Sequence, residues 1–291
     1  MTSQRSAAAD RHCGAIIRRH ATTFSIAARL LPADRRRDVH ALYALARTAD
    51  DLVDLPVPGS DPAAELERLS ARFTRAVDTG DGDDGPDGVG LVLTAAAATV
   101  RRHDIPLDCF DRFFRSMRLD LTVDRYEHWD DLLGYMDGSA AAIGEMLLPL
   151  LDPVDRSAAV APARSLGTAF QFTNFLRDVG EDLDRGRQYL PQEDLRRFGV
   201  DLVDRRVDDA FRELMRFEVA RCRRLYDEAR PGLALLSPRT RPAITASHGM
   251  YGAILERIEA LGYDVYAARA RVDRRRIVGI IAGAVVAGRR R

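Results

Sequence analysis

The sequence predicts an all-α domain. Apolar residues recur at helical spacing along nearly the whole chain, long alternating strand patterns do not occur, and Pro- and Gly-rich breaks cut the chain into pieces of helical length. The 291 residues, 46% hydrophobic and 30% charged, suffice for one large core. With no repeat of fixed period and no convincing linker, residues 1–291 are expected to form a single domain.

In chain order, His12–Leu31 reads as a first helix, broken at Pro32. Asp34 then caps a helix to Asp54, stopped by Leu55-Pro56-Val57-Pro58-Gly59. Pro62–Asp78 is helical and Gly80–Gly90 an acidic glycine-rich loop. Leu91–His103, Leu107–Leu119 and Trp129–Leu151 follow as helices. Asp155–Glu181 is another, leaving through an ordered loop, Asp184–Pro191. Asp201–Arg230 reads as a long amphipathic helix. Pro238–Leu261 and an Arg-rich tail complete the bundle.

Composition excludes several chemistries. The formal net charge is zero, so no bulk field attracts nucleic acid. The chain contains no Lys, which rules out a Schiff base or a P-loop lysine. Cys13, Cys109 and Cys222 lie far apart, as reduced thiols in or near the core would. The six scattered histidines argue against zinc or iron. Gly80-Asp81-Gly82-Asp83-Asp84-Gly85 matches Gly-x-Gly-x-x-Gly but follows no strand, and its aspartates would repel a pyrophosphate. The polar N-terminus has no signal-peptide core, which points to a cytoplasmic chain. Near the C-terminus, apolar Ile277–Gly288 lies between Arg274-Arg275-Arg276 and Arg289-Arg290-Arg291. It is too short to span a bilayer. It reads as a final packed helix or as a shallow contact at the inner membrane surface.

Two helices carry acidic faces. At about 100° per residue, Gln171, Asn174, Asp178 and Asp182 share one narrow face, opposite Phe172, Phe175, Leu176 and Val179. Tyr43, Arg47, Asp50 and Asp54 do the same on the earlier helix, with Asp51 expected to be solvated. Like charges at i,i+4 destabilise a helix by roughly 0.2–0.5 kcal/mol, so each face makes sense if a cation sits on it. The same Asp-x3-Asp spacing recurs elsewhere, and Asp120/Asp124, with its uncharged interior, is the strongest competitor. Carboxylates and an amide oxygen are hard ligands that suit Mg²⁺ (or Mn²⁺) bridging a diphosphate. Arg47 and Arg177 could take the remaining phosphate oxygens. A carbocation left by a departing diphosphate needs a dry cavity with aromatic faces, for which Phe24, Phe170, Phe172 and Tyr251 are candidates.

Tyr43–Asp54 resembles the first aspartate-rich motif of the squalene and phytoene synthases. Gln171–Asp182, followed by Gly186-Arg187-x-Tyr189-Leu190-Pro191, resembles the second motif and its trailing loop. The resemblance covers about His12 to Arg276. It implies an all-α, single-domain isoprenoid synthase helical bundle with a central apolar cavity. It implies a Mg²⁺-dependent prenyltransferase that joins two prenyl diphosphates head to head through a cyclopropylcarbinyl diphosphate. Asp50, Asp54, Asn174, Asp178 and Asp182 match the family's metal positions. Arg47 and Arg177 match its diphosphate-binding arginines, and Tyr43 and Gln171 its site-lining residues. Thr23, within a segment like the family's N-terminal flap, and Tyr251 and Arg269 match further diphosphate contacts. Asp137 stands where the family often has a second aromatic. Bacterial phytoene synthases, which use two C20 substrates and no NADPH, are the most similar members. The alternatives are a squalene or presqualene diphosphate synthase using C15 substrates, a single-substrate terpene cyclase, or a non-catalytic helical protein. The sequence leaves the oligomeric state open.

Overall fold

The computed structural model describes residues 3–20, 22–80 and 88–289, with the side chains of residues 3, 20, 22–24, 288 and 289 outside that description. Among these residues the structure is helical, with one isolated bridge between Arg125 and Gln188 and no β-strand. The helices are α1 (Ser3–His20), α2 (Thr22–Ala28), α3 (Ala33–Asp54), α4 (Pro62–Thr79), α5 (Gly88–His103), α6 (Leu107–Leu119), α7 (Trp129–Met136), α8 (Ala142–Leu147), α9 (Arg156–Asp184), α10 (Gln192–Phe198), α11 (Asp209–Ala229), α12 (Gly232–Leu235), α13 (Arg241–Ala260) and α14 (Arg274–Arg289).

Local chemistry sets several of these boundaries. Asp61 accepts from the Ala64 N–H at 3.1 Å ahead of Pro62, and Gly80 closes α4 in the left-handed region at φ 71°. Asp155 caps α9 through the Ala158 N–H at 3.0 Å. Asp34 does not cap α3; it sits in the first turn, where its charge meets the helix's positive end. The long helix expected over Asp201–Arg230 starts only at Asp209. Asp208 caps it through the Phe211 N–H at 2.9 Å, and Arg205 breaks the chain before it at φ 49°. The first helix begins at Ser3 rather than His12, and α10 occupies a stretch where no helix was expected. The Gly-x-Gly-x-x-Gly segment falls largely within 81–87, outside the described residues.

Trp129–Leu151, expected as one helix, is interrupted. Asp137–Ala141 forms a single π turn between α7 and α8, and Leu148–Leu151 tightens to a 3₁₀ turn at Pro149. The Tyr135 carbonyl, at the entry to the π turn, accepts from the hydroxyls of Ser116 at 2.8 Å and Ser139 at 3.2 Å. Backbones touch here. A Cβ on Gly138 would lie 2.1 Å from the Arg112 carbonyl oxygen, one on Gly144 2.2 Å from that of Ala163, and one on Gly167 2.3 Å from that of Ala140. Glycine at these positions lets α6, α8 and α9 approach without side chains between them.

The apolar interior falls into two main clusters. One gathers residues of α1, α3, α4, α5, α6 and α8 around Phe73, Phe110 and Phe114; the other gathers α7, α9, α11 and α13 around Phe172, Phe211 and Met215. A cavity of about 740 Å³ takes its walls from both.

Candidate active site

The cavity is bounded by faces whose period was legible in the sequence. On α3 it is lined by Val39, Leu42, Tyr43, Ala46 and Arg47, and on α9 by a stripe from Ala159 through Leu166, Phe170 and Asn174 to Arg177. At 1.5 Å per residue, the α9 stripe runs about 27 Å. Each stripe is apolar towards its helix N-terminus and polar towards its C-terminus. One turn beyond, each helix carries its acidic pair. Both pairs therefore stand near helix C-termini, where backbone carbonyls contribute about half a negative charge. Neither last turn holds a basic residue to offset it.

The two pairs meet. Arg187, on the loop leaving α9, donates to Asp54 Oδ1 of α3 at 2.6 Å, and Arg185 lies 3.5 Å from Asp54 Oδ2. The charge of Arg187 also lowers the pKa of Asp182 on α9 and of Asp50 and Asp120. One guanidinium thus links carboxylates from both helices. Asp178 accepts bidentate from Arg269 (2.9 and 2.8 Å) and also from Arg177 at 2.7 Å. It sits at a kink inside α9, with φ −104° and ψ 15°. Arg47 donates to Asp50 at 2.8 Å and also to Asp51. Asp51, expected in solvent, instead helps hold Arg47.

Burial and like charge raise three carboxyls. Burial, then Asp54, pushes Asp50 up to about 6. Burial, then Asp178, pushes Asp182 up to about 7. Burial does the same to Asp120, to about 7, against the opposing Tyr135 hydrogen bond (2.9 Å). Asp120 follows α6 and lies in the electrostatic field of Asp50 and Asp54, so the competitor pair divides: Asp120 faces the site, while Asp124 pairs with Arg125 at the surface. Asp120, Arg187 and Tyr189 were not among the expected site residues. The uncharged interior Leu121-Thr122-Val123 was the available signal for Asp120, and the trailing loop that for Arg187 and Tyr189.

The remaining expected residues are distributed as follows. Tyr43, Gln171, Asn174, Arg177, Tyr251 and Arg269 line the cavity, with Asn174 Nδ2 3.5 Å from Gln171 Oε1. Burial pushes the Tyr43 phenol up to about 12. Tyr251 stacks on Phe170, their ring centroids 4.3 Å apart, so these two aromatics do face the cavity. Phe172 does not: it is fully buried against Trp129. The side chains of Thr23 and Phe24 lie outside the described residues. Asp137 is held by Arg112 at 3.3 Å and by Arg164, which also hold Glu145, so it works as a strut between α6, α8 and α9. All three cysteines are buried and free.

The donors fit a divalent cation with a diphosphate. Among the described residues no three His, Cys, Asp or Glu side chains converge as a metal cage. Mg²⁺ does not need one, since it uses one or two carboxylates together with phosphate oxygens and water. Arg47 Nε and Asp120 Oδ1 are both buried without hydrogen-bond partners, a donor and an acceptor beside the acidic faces.

A helical bundle whose greasy cavity ends in facing carboxylates and arginines defines a prenyltransferase-type enzyme. The sequence profile described as squalene/phytoene synthase matches residues 17–276. The 15-cis-phytoene synthase of Synechococcus elongatus is 35% identical over 274 residues, covering 89% of this chain and 87% of that protein. Chloroplastic phytoene synthase 3 of Zea mays is 35% identical over 275 residues, which span 92% of this chain and 63% of the maize protein. The crystal structure of a dehydrosqualene synthase in complex with ligand superposes with a TM-score of 0.88 at 27% identity, covering 98% of each chain. The chain belongs to the squalene/phytoene synthase family.

Proposed function

We propose that this chain joins two geranylgeranyl diphosphates head to head into phytoene, with Mg²⁺ and without NADPH. The observation that carries the reading is the cavity that runs along α9 from an apolar floor to a rim shared by the α3 and α9 carboxylates. The phytoene synthase names of the 35%-identical relatives support the C20 assignment.

In this reading Asp50, Asp54, Asn174, Asp178 and Asp182 would hold the metal. When bound, Mg²⁺ neutralises charge on the departing diphosphate, help worth several kcal/mol. Arg47, Arg177 and Arg269, now bonded to carboxylates, turn to the phosphate oxygens as those carboxylates take up the cation. The apolar walls keep water from the allylic cation, and the stacked faces of Phe170 and Tyr251 stabilise its charge.

The test is incubation with C15 and C20 diphosphates separately, with Mg²⁺ and no NADPH, followed by mass analysis. A C40 hydrocarbon from the C20 substrate is expected. A cyclopropyl or C30 product from C15 alone would replace the reading with a presqualene or squalene type. A product of one prenyl chain would make the protein a cyclase. An unconsumed substrate in both arms would sink the enzyme altogether.

A further inference from the structure

The C-terminal helix α14 packs on α13 with one face only. Ala284 is buried there, and Ile277, Ile280 and Ile281 pack against Ala246 and Met250. Its other face carries Val278, Gly279, Ala282, Gly283, Val286 and Ala287, all exposed, with Val278 65% and Val286 50% exposed. No polar or charged side chain interrupts Ile277–Ala287. A surface helix normally turns polar residues to water; this one is apolar all round. At its N-terminal end Arg271, Arg274 and Arg275 are exposed, as is Arg276, which reaches Glu256 at 2.9 Å. The sequence beyond its other end closes on arginines.

What would cover this face must accept apolar side chains between two cationic ends. A second copy of the chain does not suit it. Either pairing of two α14 helices brings one arginine cluster against another, because both ends are basic. A span is also excluded, since no helix of the described residues is long and apolar enough to cross a membrane. An anionic lipid surface suits both features: valines enter the acyl boundary while the arginines meet headgroup phosphates.

We propose that the outer face of α14 docks on a bilayer containing anionic phospholipid, the helix lying in the interface plane. The position has a consequence for the cavity. Arg271, Val272 and Ile277 belong to its wall, so the docked face adjoins it. An apolar chain then passes between lipid and cavity beside α14 with little exposure to water. This last step rests on the prenyl diphosphate reading; the docking does not.

The experiment is flotation of the full-length protein with vesicles of phosphatidylcholine alone or mixed equally with phosphatidylglycerol. The protein is expected to float with the mixed vesicles and to be released by raised salt. Val278→Asp with Val286→Asp should weaken binding about tenfold or more, the value of two buried valines at the least. Arg274→Glu with Arg275→Glu should weaken it about 25-fold, at about fivefold per arginine lost, and Arg274→Lys with Arg275→Lys should leave it intact. Circular dichroism checks that the variants fold, and Val278→Ser with Val286→Ser replaces the aspartates if they do not. The proposal falls if the parent protein does not float with the mixed vesicles, or if the valine variants float as well as the parent. It also falls if the valines instead hold together a dimer that ignores vesicles.

Discussion

In the ion cluster between α6, α8 and α9, Asp137 and Glu145 are held by Arg112 and Arg164. At the cavity rim, Asp50, Asp54, Asp120, Asp178 and Asp182 meet Arg47, Arg177, Arg185, Arg187 and Arg269. The residue types are the same, yet the carboxyls shift in opposite directions. Burial pushes Asp137 up, but the hydrogen bond from Arg164 and the charge of Arg112 outweigh it, and Asp137 ends below its ordinary value. Burial pushes Asp50, Asp120 and Asp182 up, and the rim arginines do not bring them back. Proximity of arginine therefore does not distinguish a strut from a site. What distinguishes them is whether the arginines suffice for the carboxylates packed around them, and the rim leaves room for a further cation.

The contrast breaks most sharply at Asp178. Replacing it with Ala should reduce turnover about 10³-fold, a loss of about 4 kcal/mol of transition-state stabilisation, while the thermal midpoint barely moves. Parent-like turnover would mean that the rim is a second strut. Glu145→Gln should do the reverse. Its side chain is 17% exposed, and neutralising it leaves Arg112 and Arg164 short of charge. A stability loss of about 2 kcal/mol in urea unfolding, with little change in kcat, is expected. If kcat fell with unchanged stability, the cluster would belong to the site.

Arg187→Gln sharpens the comparison from the cation side. The variant should lose about 1 kcal/mol of stability without metal, because Asp54 loses its 2.6 Å partner. It should then gain more in thermal midpoint from Mg²⁺ than the parent does; an equal gain would mean that guanidinium and metal do not share the cleft. The smallest effect is that of pH. Asp50 and Asp182 have ordinary values of 3.8, and burial and neighbouring carboxylates raise them to about 6 and about 7 in the fold. Between about pH 4 and 7 the folded state thus holds protons that the unfolded chain has lost, so stability should fall as pH rises through that window. Asp50 is 40% exposed, and the water it meets softens the slope. Thermal midpoints of the metal-free protein at pH 5 and 7.5, repeated with Mg²⁺, check this. A midpoint that rises with pH in the metal-free protein would contradict it.

The helical class and the two acidic faces were legible because a period of 3.6 writes itself into a sequence. Tyr43, Arg47, Asp50 and Asp54 share a face whatever they pack against, and so do Gln171, Asn174, Asp178 and Asp182. What comes from elsewhere in the chain was not legible in the same way. Arg187 reaches Asp54 across 133 sequence positions and Arg269 reaches Asp178 across 91. Asp120 has no helical partner to mark it, since α6 ends at Leu119. Phe172 was misjudged because an aromatic at helical spacing points to a core or to a cavity, and only the packing of Trp129 decides which. The interruption of Trp129–Leu151 left no signal either, because a π turn needs no breaker residue.

That π turn has a consequence for how the enzyme tolerates change in length. It places one more residue in the winding between Tyr135 and Ala142 than an ordinary helix would, and so sets the phase of all that follows. Removing a single residue from Asp137–Ala141 would re-phase α8 by about 100°. Glu145 would swing away from Arg112 and Arg164, and a side chain would take the place where Gly144 now meets the Ala163 backbone. Point substitutions can be absorbed locally here, but a one-codon deletion turns a whole wall of the cavity.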